Sequence, residues 1–220
     1  MAERNVRVGG GGIGARLRLA KLRSLKEELL HWRLDDVRDE MRKYGRKRGL
    51  VLDFIRGLRL SAGVIYALRV ALSDTGMEVS WGHVLDRNEA FCSPECDVII
   101  HRPGVFDRWN GSKDPIMDFS FVAQDNAVAV VSCKSLVSGV SSIDVEYCSQ
   151  MRVYVRNVLL FAECCRPTQV DRLTRTARDA GYRGFWYLYT LARGSSEPEV
   201  DERKWTDFLN TVHTLASRAN

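Results

Sequence analysis

Two short β-branched runs constrain this chain more than any other feature. Val98-Ile-Ile100 follows Asp97, and Ala127-Val-Ala-Val-Val131 leads into Ser132-Cys133-Lys134. Each reads as a buried strand that presents a polar residue. Side chains alternate faces along a strand, so Ser132 and Lys134 point the same way. An aspartate and a lysine at the ends of neighbouring buried strands require partners, because lone buried charges are costly.

The surrounding pattern supplies a sheet and its helices. Leu50 to Ser73 has helical spacing through Val51, Ile55, Leu58, Val64, Ile65, Leu68 and Leu72, with Gly76 past its last turn. Strands are expected at Glu78–Leu85, Cys96–His101, Phe119–Ala123 and Ala127–Ser135. Arg102 to Asp118 reads as one long loop, a length that is usually functional. Ser141-x-x-Asp144 opens a helix that runs to about Val155. Val158–Ala162 is a buried strand, Thr168-x-x-Asp171 opens a helix ended by Gly181, and Gly184–Leu191 is the last strand. Asp201 caps a final helix bearing Trp205, Phe208, Leu209, Val212 and Leu215. A run of strands followed by alternating helices and strands predicts a mixed sheet with helices on it.

The first quarter differs in character. Residues 1–14 read as a flexible tail: Gly9 to Gly14 satisfies GxGxxG, but no βαβ unit follows. Residues 15–48 read as a basic helical extension. Its helix, 15–46, carries a narrow stripe through Leu30, Leu34, Val37, Met41 and Tyr44. That stripe suits either packing on the domain of residues 49–220 or a homodimer seam. Residues 1–60 hold 16 Lys and Arg against 8 Asp and Glu, whereas the remainder holds 17 against 20. A basic first quarter fits a protein that meets phosphate. No secretory leader and no membrane span is expected. The six cysteines sit in or beside apolar runs and read as reduced core thiols of a cytoplasmic protein.

With Asp97, the triplet Ser132-Cys133-Lys134 and Gln150-Met-Arg-Val-Tyr154, the chain resembles the PD-(D/E)XK superfamily of restriction-endonuclease-like nucleases. Gln150-x-x-x-Tyr154 is similar to the helical motif of its RecB-type branch. The resemblance implies an α/β fold: a restriction-endonuclease-like mixed β-sheet flanked by helices, here with an N-terminal helical extension. It implies hydrolysis of DNA phosphodiesters with Mg²⁺ or Mn²⁺, in defence or repair. Asp97 would bind the metal, Lys134 would position water and meet a phosphate, and Gln150 would orient water or phosphate, with Tyr154 on the same helical face. Ser132 stands where the family carries an acid, which lowers the expected metal affinity. Glu95, two residues before Asp97, and Glu146, one turn before Gln150, are the candidate replacement acids, with Glu95 taken as the metal ligand. In the long loop, Arg102, Arg108, Trp109 and Lys113 are the candidate nucleic-acid contacts. The alternative is a fold that binds nucleic acid or a protein partner without cleaving.

Overall fold

A computed structural model describes Lys26 and residues 49–219, except 89, 105, 106, 111–117 and 196. It opens on helix α1 (Gly49–Ala71), followed by strands β1 (Glu78–Leu85), β2 (Cys96–His101), β3 (Asp107–Asn110), β4 (Asp118–Ala123) and β5 (Ala127–Val137). Then α2 (Ser142–Tyr154), β6 (Val158–Cys165), α3 (Val170–Asp179), β7 (Phe185–Thr190), β8 (Glu199–Val200) and α4 (Glu202–Ala219) complete it.

The eight strands of the described residues form one mixed sheet in the order β3-β4-β1-β2-β5-β6-β7-β8. β5, β6 and β7 are parallel neighbours, as are β1 and β4, while β2 runs antiparallel to both β1 and β5. The central strands are buried on both faces, so they read as continuous apolar runs rather than alternating ones. On one face, α1 and α4 bury Val64, Leu68, Phe208 and Val212 against Val98, Ile100, Val131 and Phe161. On the other, α2 and α3 bury Cys148, Met151, Leu173 and Ala177 against Ile99, Val130 and Leu160. Truncating a side chain as buried as Leu68 in such a layer costs about 2–5 kcal/mol.

Two glycines are dictated by geometry. Gly82 has φ 138°, and a Cβ there would lie 2.1 Å from the Ser120 carbonyl oxygen, so only glycine permits β1 and β4 to approach. Gly181 has φ 96° just after α3 and turns Tyr182 inward.

The expected loop from Arg102 to Asp118 is interrupted by β3, an edge strand that pairs with β4 through Arg108↔Ser120 and Trp109↔Phe119. Asp107-Arg-Trp-Asn110 lacks an alternating apolar pattern, because an edge strand is held by one neighbour's ladder. β5 and β6 run further than expected, since their parallel pairing continues to Val137↔Cys165. Of the basic helical extension, only Lys26 is described. It is buried and pairs with Glu202 at the start of α4. The rest of the extension, with the expected homodimer seam, lies outside the described residues. No helix among the described residues is long and apolar enough to cross a membrane.

Candidate active site

The sheet forks between β2 and β5. Their last paired residues are Val98 and Val131, after which β5 continues beside β6 alone. At the fork, Asp97 replaces the missing ladder bond: its Oδ2 accepts the Cys133 backbone N–H at 2.7 Å. Its Oδ1 makes no hydrogen bond among the described residues. The fork opens into a cavity of about 370 Å³, roofed by α1 through Ser61 and Ile65 and by α2 through Tyr147. Glu95, Asp97, Ser132 and Lys134 line it together, with Trp81. Four of the residues singled out in the sequence therefore converge.

The electrostatics of this cavity are unequal. Burial, with a smaller push from Glu95, raises the Asp97 carboxyl to about 6. The Cys133 N–H and Lys134 pull it back without cancelling that burial. Lys134 does not pair with Asp97. Its Nζ lies 3.0 Å from Asp144 Oδ1. Asp144 is the third residue of α2 and closes a capping box: its Oδ2 accepts from the Ser141 N–H at 2.9 Å, and its own N–H bonds Ser141 Oγ. Burial acts to raise the Asp144 carboxyl but is outweighed by the Ser141 bonds and Lys134, so it lies below the usual range. Both Asp144 oxygens are thus engaged, one by a helix cap and one by the lysine.

Ser132 is only 2% exposed. Its hydroxyl lies beside that of Tyr182, which donates to the Asp144 carbonyl at 2.9 Å. The buried Tyr147 hydroxyl sits by the Cys96 thiol without a well-formed hydrogen bond among the described residues.

The remaining candidates lie elsewhere. Gln150 is exposed, donates to Glu146 at 3.1 Å and does not line the cavity. Tyr154 donates to the Cys92 carbonyl at 3.1 Å and so ties α2 to the segment before β2. Arg102 donates to the carbonyls of Asp125 and Ala219, at the far end of the sheet. Arg108 and Trp109 are placed on β3, and Lys113 lies outside the described residues. Asp144 and Tyr147 escaped the sequence reading as site residues. The capping box marked Asp144 as a helix start, but nothing local signals that this start sits over Lys134.

No protein-family model and no curated protein matches the sequence. Among solved structures, the chain is similar to P. aeruginosa NucC in its cAAA-bound form, at 13% identity over 96% of this chain and 93% of that one, with a TM-score of 0.54. It is similar to E. coli NucC in its cAAA-bound form at 11% identity over 97% and 93%, also with a TM-score of 0.54. The fold resembles that of NucC. It is the mixed sheet flanked by helices expected of a restriction-endonuclease-like chain. At such identities the likeness speaks for the fold alone.

The donor set fits a hard divalent cation in a limited way. Asp97 has an open oxygen, Glu95 shares its cavity, and their mutual repulsion would be relieved by positive charge between them. Mg²⁺ retains several waters and needs only one or two carboxylates beside a substrate phosphate. No group of three or more metal-ligating side chains forms among the described residues. The cysteines add none: Cys96, Cys148 and Cys165 are thiols pushed up by burial to between about 11 and 12.

Proposed function

We propose that this protein is a metal-dependent nuclease-like protein acting on DNA phosphodiesters. The observation that carries the reading is the convergence of Asp97, Glu95, Ser132 and Lys134 in one cavity at the fork between β2 and β5. Asp97 Oδ1 and Glu95 would hold Mg²⁺ or Mn²⁺. When bound, the ion polarises a phosphate and acidifies a water. Asp97 titrates near pH 6, so it is mostly ionised at neutral pH. Lys134 would supply positive charge to the phosphodiester, whose single negative charge grows as water attacks in the transition state. Asp144 positions that ammonium, which ties the lysine to the N-terminus of α2. Ser132 supplies a neutral hydroxyl in place of a carboxylate.

The second reading is binding without hydrolysis. It is favoured by the same Ser132, and by Asp144, whose two oxygens are already committed. Both readings are separated by cleavage of linear, circular and single-stranded DNA with Mg²⁺ or Mn²⁺. Wild type should cleave, and Asp97→Ala and Lys134→Ala should each lose about 10²–10³-fold. Salt-sensitive retention of DNA with no cleavage by wild type would leave the binding reading standing.

A further inference from the structure

Opposite the cavity, at the N-terminal end of β5, Arg102, Arg156, Arg183 and Arg218 line one groove of about 430 Å³ with no Asp or Glu among its described lining residues. The arginines come from four separate places: after β2, after α2, before β7 and in the last turn of α4. Two are held in place by neutral acceptors. Arg102 bonds the Asp125 and Ala219 carbonyls, and Arg183 bonds Asn157 Oδ1 at 3.0 Å. Asn157 is itself anchored on the Val128 carbonyl. Such bonds orient a guanidinium without neutralising it. Arg156 and Arg218 have no hydrogen bond or ion pair among the described residues.

Helix ends account for part of this charge. The C-termini of α2, α3 and α4 all lie towards this end, and each presents roughly half a negative charge. Three halves offset fewer than two of the four guanidinium charges. Like charges gathered around one groove repel one another, and a multiply charged anion reverses the sign of that interaction. Guanidinium forks match phosphate oxygens in pairs.

We infer that this groove is a second site, separate from the cavity, that binds a ligand bearing at least two phosphates. From Ala127 at the groove to Lys134 at the cavity β5 rises roughly 23 Å, so the two sites do not share one phosphate. The phosphates come either from a nucleic-acid backbone or from a free oligophosphate.

The test uses the full chain carrying Lys134→Ala, so that cleavage is not the readout. Inorganic tripolyphosphate and a short DNA duplex are titrated separately over a range of salt. Adding Arg156→Gln and Arg218→Gln should weaken at least one probe tenfold or more. A free-oligophosphate ligand shows as lost tripolyphosphate binding with the DNA salt dependence unchanged. A backbone ligand shows as a slope of log affinity against log salt that falls by about 0.9 per arginine. Arg156→Lys with Arg218→Lys, which keeps the charge, should retain most of the affinity. Binding of both probes that is unchanged in the glutamine variant, absent altogether, or lost equally in the lysine variant would overturn the inference.

Discussion

At one end of β5, Lys134 meets Asp144 and shares a cavity with Asp97 and Glu95; at the other, four arginines ring a groove with no Asp or Glu among its described lining residues. The same strand thus joins a region where charges answer one another to a region where they do not. The difference lies in where each charge is anchored. At the fork, the carboxylates complete backbone bonds that the sheet and helix leave open: Asp97 on the Cys133 N–H, Asp144 on the Ser141 N–H. These charges have structural duties, and their chemistry is an addition to them. The arginines, in contrast, are pinned by neutral carbonyls and an amide or are not pinned at all, so their charge is left for something outside the fold.

The largest test of this contrast is at Asp97. Its carboxyl titrates near 6 rather than 3.8, so the fold favours its protonated form. That stabilising contribution is complete below pH 3.8 and is lost as pH rises through 6. Asp97→Asn cannot ionise. It should therefore match wild type below about pH 4 and exceed it above pH 6 by up to about 3 kcal/mol, read by urea unfolding at both pH values. Mg²⁺ should narrow the gap at pH 8 by stabilising wild type alone; no narrowing would break the assignment of Asp97 to a cation.

Next in size is Asp144, where the sign reverses. Its depressed carboxyl contributes stability above 3.8 that is lost as pH falls through the lowered value. Asp144→Asn should cost about 2 kcal/mol at pH 7 and flatten the acid limb of the stability profile. If the protein cleaves DNA, the same change should reduce the rate about tenfold, with Asp144→Glu retaining most of it and with no further loss in a Lys134→Ala background. An additive loss in that double variant would place Asp144 in the cap only.

Ser141→Ala separates cap from site. It should cost about 1 kcal/mol of stability and leave cleavage near wild type, because the Lys134 pair survives. The smallest effect belongs to the opposite end. Arg156→Gln should raise stability by a few tenths of a kcal/mol in low salt and by nothing in high salt, as expected for relief of screened repulsion. A loss of stability instead would mean that Arg156 has a partner and that the contrast between the two ends is overdrawn.

Much of this arrangement could be read directly. Short β-branched runs specify buried strands whatever surrounds them, and Ser141-x-x-Asp144 and Asp201 state where helices begin, because capping is a local bond between near neighbours in the chain. The period of two along a strand puts Ser132 and Lys134 on one face, and Asp97 stands out as the charge beside the Val98-Ile-Ile100 run. Other features depend on contacts that no local pattern encodes. Gln150 and Tyr154 share a helical face in any sequence reading, but the roll of α2 about its own axis turns Cys148 and Met151 to the core and Tyr147 to the cavity. That roll is decided by packing on β6. The bond between Lys134 and Asp144 spans a turn whose path only the sheet determines, and the arginine groove gathers residues from four distant points. Local hydrogen bonding and apolar period were therefore determined by sequence alone. The pairing of charges was decided by tertiary structure, since Coulomb energy depends on distances that folding sets.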